Sequence, residues 1–367
     1  ISAVYDEGRK QYETLSEAPA GVTYRETERV RGKSETEIPS RNVVALADNL
    51  AFMQYLIREK ELRGKLNLIY VDPPFFSRAN YGTELKLEVE GERHIPVIRQ
   101  KAYHDIWGKG IEDYLAMLIP RLMMMRELLH EEGCLWVHLD WHAVHYVKVI
   151  LDEIFGEKQF INEVVWQYKS GGASKRSFAR KHDTLLFYAK SKDYFFHPTR
   201  EKSYNRGFKP YRFKGVKEYR DEQGWYTMVS RKDVWSLDMV GRTSAERTGY
   251  VTQKPEALMN RILESCTREG DLVADFFGGS GTLAAAAQKS NRSWINCDIG
   301  KLARLDAYKR LTGLGAEFSL LEEASAEAVS RAGGDILAAV TLQDSPVSDK
   351  MFMCVKLEGY SHPLSDD

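Results

Sequence analysis

Residues 66–77 read LNLIYVDPPFFS, and the fold is decided where this run changes character. Leu66, Leu68, Ile69, Tyr70 and Val71 form a short apolar segment rich in strand formers, the pattern of a strand buried on both faces of a parallel sheet. The segment stops at Asp72-Pro73-Pro74-Phe75. Two consecutive prolines cannot donate to a ladder and hold their own φ, so the strand ends in a stiff, extended loop. That loop carries a carboxylate at its base, proline carbonyls in its middle and an aromatic ring at its tip. Acceptors beside a stacking surface suit a planar group bearing an NH2, such as the exocyclic amine of a nucleobase. A turn whose Asp merely caps would use the same four residues, so the loop alone leaves both readings open.

Outward from this loop the chain alternates strands and helices. Val43–Ala47 is a compact strand closing on Asp48-Asn49. Leu50, Met53, Leu56, Ile57 and Leu62 then recur at helical spacing up to Gly64, which completes a βαβ unit with the opening strand. Residues 76–110 are polar, glycine-containing and long for a connection, and are expected to be functional or mobile. A helix is expected from Ile111 with Pro120 as a kink or break, then a strand over Gly133–Asp140 and a helix from Trp141 to Phe155. The methionines of MLIPRLMMM are expected in the core. Strands over Asn162–Tyr168 and Thr184–Ala189 enclose GGASKRSFARKH, where Gly171, Gly172, Ala173, Ser174 and Ser177 reduce bulk. There Lys175, Arg176, Arg180 and Lys181, with Lys169 just before, suit a flexible phosphate-contacting loop.

Net charge is only −1, but fifteen Lys and Arg face four Asp and Glu between Gln167 and Arg220, and the end of the chain is acidic. A basic middle in a neutral chain reads as a polyanion-binding surface. From 191 to about 250 the bases alternate with aromatics such as Tyr204, Phe208, Tyr211, Phe213, Tyr219, Tyr226 and Trp235. Some should stack on bases and others should pack a small β-rich subdomain. Residues 1–40 read as a peripheral arm with one short helix. The segment from about 315 reads as helix-prone at first (LLEEASAEAVSRA), then as a strand pair. No run approaches membrane-spanning length, the start lacks a signal pattern and the cysteines lack metal-ligand spacing. A cytoplasmic protein with reduced thiols and no metal site is expected. The chain opens at Ile1 rather than Met, as a trimmed N-terminus would.

The second informative stretch is Asp271 to Asp298. Leu272-Val273-Ala274 is a strand, Asp275-Phe276-Phe277-Gly278-Gly279-Ser280-Gly281-Thr282 a glycine-rich turn, LAAAAQ a helix, and Ser293–Cys297 a strand ending in Asp298. Strand, glycine loop, helix, strand and acid are the layout of a nucleoside-binding βαβ half. In an open parallel sheet, ligands sit outside the carboxyl ends of the strands where strand order reverses. If the glycine strand and the Asp72 strand are neighbours there, a nucleoside cofactor and an amine-bearing base face each other.

This pairing resembles the S-adenosylmethionine-dependent DNA amino-methyltransferases, in the circularly permuted beta class of restriction–modification systems. In that class the Asp-Pro-Pro-aromatic motif comes first, a target-recognition region follows and the glycine loop comes last. Here Asp72–Phe75 precedes Phe276–Thr282, and TQKP at 252–255 resembles the segment just before the loop; the resemblance covers about 40 to 311. Two departures are Val251, where the class often has proline or histidine, and Phe75 in place of the commoner tyrosine. The resemblance implies a Rossmann-like α/β methyltransferase fold with a mostly parallel sheet and an inserted target-recognition region. It divides the chain into an arm (1–40), a catalytic half (41–190), a target-recognition region (191–250), a cofactor-binding half (251–314) and a C-terminal extension (315–367).

The resemblance also implies roles for individual residues. Asp72 and the Pro73 carbonyl would accept from the target amine, within the Asp72-Pro73-Pro74-Phe75 loop, and Phe75 would stack on the extruded base. Asp275, Phe276, Gly278, Gly279, Ser280, Gly281 and Thr282 would form the cofactor loop, with Thr252 and Lys254 near the cofactor's carboxylate. Asp298 would hold the ribose and Asp48 the adenine amine. The implied activity is methylation of adenine N6 in double-stranded DNA, by a homodimer or a restriction-system subunit. Cytosine N4 and a catalytically silent cofactor- or DNA-binding subunit are the alternatives.

Overall fold

The structure is a computed structural model. It describes residues 1–32, 41–77, 80–86, 97–105, 107–108, 110–172, 175–241, 243–324, 336–344 and 351–360, with the backbone alone for 80–86, 97–104, 336–344 and 351–360. Two units separate, residues 1–323 and 324–367.

In the first unit, helix α1 (Ser2–Glu17) precedes strand β1 (Tyr24–Val30). Strand β2 (Val43–Leu46), helix α2 (Asn49–Arg58) and strand β3 (Leu66–Val71) form the expected βαβ unit. A hairpin of β4 (Asn80–Lys86) and β5 (Val97–His104) occupies much of the long connection. Helix α3 (Ile111–Leu128), strand β6 (Leu129–Leu139) and helix α4 (Val144–Phe155) follow. Strands β7 (Phe160–Gln167) and β8 (His182–Ala189) enclose the basic loop. Then come β9 (Arg200–Tyr204), β10 (Glu218–Arg220), β11 (Trp225–Ser230) and β12 (Val234–Ser236). Helix α5 (Glu256–Cys266), strand β13 (Leu272–Asp275), helix α6 (Thr282–Lys289) and strand β14 (Ser293–Asp298) build the glycine-loop half. Helix α7 (Lys301–Gly313) and strand β15 (Phe318–Glu323) complete it. In the second unit, β16 (Ile336–Asp344) pairs antiparallel with β17 (Met351–Tyr360).

Among the described residues ten strands form one sheet, in the order β1-β15-β2-β14-β13-β3-β6-β8-β7-β12. The ladders from β15 to β6 are all parallel, whereas β8 runs antiparallel to both neighbours. Side chains alternate across the sheet, so each strand feeds two cores. Ile69 and Val71 point into one core with α2, α3 and α4, while Leu68 and Tyr70 point into the other with α5, α6 and α7. Burial on both faces explains why β3 reads as a continuous apolar run rather than an alternating one. The chain leaves β3 toward β6 and leaves β13 toward β14, in opposite directions. The β3–β13 boundary is therefore the reversal of strand order, and the two half-sites are neighbours as expected. A mostly parallel sheet covered by helices on both faces is the Rossmann-like α/β architecture the sequence called for.

Three local expectations change. The stretch read as a peripheral arm supplies a sixteen-residue helix lying on α3 and an edge strand paired with β15. Helix α3 runs unbroken through Pro120. A proline inside a helix costs about 3 kcal/mol. Leu118, Ile119 and Leu122 are fully buried around it, each contributing about 1.5–3 kcal/mol, so packing wins. The start of the tail, Leu320–Glu323, is strand rather than helix, because β15 pairs with β1 on one side and β2 on the other. The remainder of LLEEASAEAVSRA lies outside the described residues.

Helix α1 meets α3 at Gly8, where an added Cβ would lie 2.7 Å from Ile119 Cγ2. On an exposed helix Gly→Ala stabilises by about 0.5–1 kcal/mol. Here overpacking opposes it with about 1–3 kcal/mol. Gly8→Ala is therefore expected to lower Tm by a few degrees in differential scanning calorimetry; a rise in Tm would mean that α1 is not packed on α3.

Candidate active site

Each parallel strand end at the reversal point delivers one polar signal to the same edge. Asp275 ends β13 opposite Tyr70 and Asn296, Asp298 ends β14 opposite Leu46, and Asp72 follows β3. They line a cleft of about 650 Å³, which also takes in Asp48, Pro73, Pro74, Phe75, Thr252, Lys254, Phe276, Gly278, Gly279, Ser280 and Thr282. That volume is ordinary for a cofactor-sized ligand. The sequence-selected residues of both half-sites thus share one cavity, with Gly281 in the turn that forms its floor.

The Asp72–Phe75 loop is held from both ends. Lys254 Nζ donates to Asp72 Oδ2 at 2.5 Å and sits over the Phe75 ring, 5.1 Å from its centroid. Asp72 Oδ1 is buried and has no hydrogen-bond partner among the described residues. One carboxylate oxygen is therefore occupied and the other is left to accept from a ligand. On the far side, Asp105 is fully buried and takes four donors: the Phe76 and Ser77 amides, the Ser77 hydroxyl and the Trp107 indole. Phe76 is in the left-handed region at φ 61°, a strained conformation for an aromatic residue, and Asp105 holds it there. Asp105→Ala leaves these donors without their acceptor, at about 1–3 kcal/mol for a buried group. The variant is expected to lose at least ~3 kcal/mol in urea unfolding and much of its turnover with it. Unchanged stability would show that Asp105 does not anchor the loop.

The glycine loop is a tight backbone turn. Gly278 N donates to Cys297 O and Gly281 N to Gly278 O, while Gly279 and Gly281 have φ 47° and 70°. Asp298 ties this turn to β14, accepting from Gly279 N at 2.9 Å and Gly300 N at 2.7 Å. Burial raises the Asp298 pKa, with those two amides acting against it. Asp275 accepts from Phe277 N, and its burial, reinforced by Asp72 and Asp298, pushes its pKa well above the usual range. Asp48 caps α2 through Oδ1 and pairs through Oδ2 with Arg121 at 2.8 Å. Lys254, expected near a cofactor carboxylate, lines the same cleft and places its ammonium on Asp72.

Several lining residues carried no sequence signal. Tyr250, Trp107, Arg121 and Ile299 all face the cleft. Tyr250 packs over Gly279, where a Cβ would come within 3.3 Å of its ring. Behind Asp72 sit His138 and Asp183, both buried.

The basic loop stands apart from the cleft lining. Lys169, Lys175, Arg176 and Arg180 are exposed and Lys181 is half-buried; Ala173 and Ser174 lie outside the described residues. Lys181 donates to Ser170 Oγ and Gly171 O, and Arg180 stacks 3.9 Å from the Trp141 ring centroid. The aromatics of 191–250 differ in burial. Tyr219 stacks on Tyr226 and Trp235 is buried near Trp136, whereas Phe208, Tyr211 and Phe213 are exposed.

The residues present fit S-adenosylmethionine. A tight glycine turn allows close approach, carboxylates at the strand ends can accept from hydroxyl and amine groups, and one oxygen of a cleft carboxylate, Asp72 Oδ1, has no partner among the described residues. Among known proteins the chain is similar to "Type II methyltransferase M.EcaI" of Enterobacter cloacae, 27% identical over 336 residues, covering 75% of this chain and 70% of that one. It is also similar to "Type II methyltransferase M.HpaI" of Haemophilus parainfluenzae, 26% identical over 242 residues, 64% of this chain and 65% of that one. Among solved structures, PvuII DNA methyltransferase (cytosine-N4-specific) shares the fold with a TM-score of 0.50 at 13% identity, over 78% of this chain and 90% of that one. The cofactor of this chain is S-adenosylmethionine. Residues 66–308 match the N6_N4_Mtase family model, described as DNA methylase, and the chain belongs to that family.

Proposed function

We propose that this protein methylates the exocyclic N6 of adenine at a specific site in double-stranded DNA, after extruding the base, as the modification enzyme of a restriction–modification system. The observation that carries the reading is the single cleft shared by Asp72–Phe75 and the glycine loop. An opening Asp rather than Ser in the motif favours adenine over cytosine. The two relatives described above are both named type II methyltransferases, which supports the restriction–modification setting. We further propose a cytoplasmic protein acting as a homodimer or with a restriction subunit, organised as arm (1–40), catalytic half (41–190), target-recognition region (191–250), cofactor half (251–314) and extension (315–367).

When bound, the cofactor supplies an electrophilic methyl group on a sulfonium. The chain's own residues do the rest. Asp72 Oδ1 and the Pro73 carbonyl accept the two N–H bonds of the amine, which turns its lone pair out of conjugation with the ring. Phe75 stacks on the extruded base, and Lys169, Lys175, Arg176, Arg180 and Lys181 hold phosphates, offsetting the few kcal/mol of unstacking. Asp48, Thr252, Lys254, Asp275, Phe276, Gly278, Gly279, Ser280, Gly281, Thr282 and Asp298 form the cofactor's surroundings.

The test is incubation with isotope-labelled S-adenosylmethionine and mixed-sequence duplex DNA, digestion to nucleosides and mass analysis. Label in N6-methyldeoxyadenosine is expected. Label in N4-methyldeoxycytidine would move the target while keeping the site, and cofactor binding without DNA labelling would overturn the reading.

A further inference from the structure

Methyl transfer to an amine leaves one proton too many, and Asp72 is a poor place to keep it. Its Oδ2 already accepts from the Lys254 ammonium at 2.5 Å, so only Oδ1 is left to take a proton. Directly behind its free oxygen lies a buried polar chain. His138, on β6, is fully buried, with Nδ1 3.9 Å from Asp72 Oδ1 and 2.7 Å from the Tyr70 hydroxyl. On its other side Nε2 lies 3.1 Å from Asp183 Oδ2, and the Tyr168 hydroxyl donates to Asp183 Oδ1 at 3.0 Å. The Phe75 and Trp166 rings flank the imidazole, with centroids 5.5 and 5.4 Å away.

The protons in this chain can be assigned by chemistry. Burial raises the Asp183 carboxyl, but the hydrogen bond from His138, the Lys254 charge and the Tyr168 hydroxyl outweigh it, so Asp183 stays ionised. A carboxylate on Nε2 fixes the tautomer with the proton there, leaving Nδ1 as an acceptor. Tyr70, whose pKa is pushed well up by burial and by the charges of Asp72, Asp275 and Asp183, keeps its proton and donates to Nδ1. The result is an acceptor nitrogen 3.9 Å from Asp72 Oδ1, on an imidazole backed by a carboxylate.

We propose that His138, oriented by Asp183 and Tyr70, relays the reaction's proton away from Asp72. This rests on the methyltransferase reading above. The amine's lone pair forms the N–CH3 bond, and the S–CH3 bond breaks with its electrons staying on sulfur. The N–H bond facing Asp72 Oδ1 then breaks with its electrons staying on nitrogen, and the proton passes through Asp72 Oδ1 to His138 Nδ1. Nothing is oxidised or reduced. Closing the 3.9 Å gap to hydrogen-bond distance takes a shift of about 1 Å, and the Tyr70 hydroxyl turns from donor to acceptor. The facing groups are Tyr70, Asp72, Asp183, Tyr168, Lys254 and Asp275. Burial pushes the Asp275 carboxyl well up, and Asp72 and Asp183 lie on the two sides of the imidazole. His138 acts through Asp72, so it is a positioning residue and not a catalytic one.

The experiment compares wild type, His138→Gln and Asp183→Asn on duplex DNA in single-turnover methylation across pH, with S-adenosylmethionine affinity by calorimetry. For wild type the rate should fall as pH falls and His138 gains a proton beforehand. In His138→Gln the rate should drop about 100-fold, the scale of one proton-transfer group. Its acidic limb should vanish, while cofactor affinity stays within about twofold. Asp183→Asn should shift that limb toward lower pH. Wild-type rates in both variants, or losses that leave the shape of the pH profile untouched, would overturn the relay and leave a structural role. Should the variants fail to fold, imidazole-nitrogen NMR of the wild-type protein decides: an Nε2-protonated tautomer supports the relay and an Nδ1-protonated one rejects it. Absence of methylation by wild type would count against the methyltransferase reading alone, because the tautomer is read without turnover.

Discussion

Replacing Asp72 with alanine is expected to lower methyl transfer by about 10³-fold, the scale of one preorganised polar group aimed at a reacting centre. The loss should lie in turnover, because the residue removes an acceptor from the target amine and leaves the glycine loop intact. Asp72 and Lys254 are only 17% and 12% exposed, so the substitution also strands a nearly buried ammonium. Breaking a buried pair from one side costs about 3–5 kcal/mol, and the residual exposure here makes the cost smaller. Asp72→Asn separates the two effects. It keeps the shape of the loop but loses the charge that holds Lys254, and is expected to recover little activity. Burst-phase methylation of duplex DNA and calorimetric titration of S-adenosylmethionine are the readouts. Near-normal methylation by Asp72→Ala would remove Asp72 from the site.

Gly278→Ala is expected to be nearly as damaging, for a steric reason. A Cβ at this position would lie 2.4 Å from Asn296 Oδ1, 2.5 Å from its Cγ and 2.6 Å from its Nδ2. Asn296 is 1% exposed on β14, directly beneath the turn, and cannot move into solvent. Either the asparagine or the loop must shift, at about 1–3 kcal/mol of overpacking. A shifted loop loses the backbone surface proposed to carry the cofactor, so affinity should fall by at least tenfold, equal to about 1.4 kcal/mol. Neither amide atom of Asn296 has a partner among the described residues, so truncating that residue sacrifices no hydrogen bond to them. Gly278→Ala combined with Asn296→Ala should therefore regain much of the lost affinity. A double variant as weak as the single one would place the cause elsewhere than in this contact.

Much of the fold was legible because its signals are local. Strand β3 is buried on both faces and stops at two prolines; β13, the glycine turn and α6 follow one another within a few residues. Such patterns register burial and backbone geometry at the positions where they act. Strand β1 was missed because only Tyr24 and Val30 are buried among its seven residues, and five consecutive exposed positions carry no period of two. Strand β15 was missed for a related reason: pairing on both sides overrides the composition of Leu320–Glu323. Pro120 does not break α3, because a local penalty is outweighed by the core packed around it.

The sequence by itself determined the α/β class, the order of the two half-sites and the carboxylates that end the strands. Only the tertiary structure decided how those groups are paired. Lys254 reaches Asp72 across 182 residues, Asp183 reaches His138 across 45, and Asp105 grips the amides of a loop 28 and 29 residues earlier. A histidine in an apolar strand, or an aspartate at the foot of a hairpin, reads the same in sequence whether or not it has a partner. The partner is supplied by strand order and register, which are set by long-range hydrogen bonding and burial that no short stretch of chain contains.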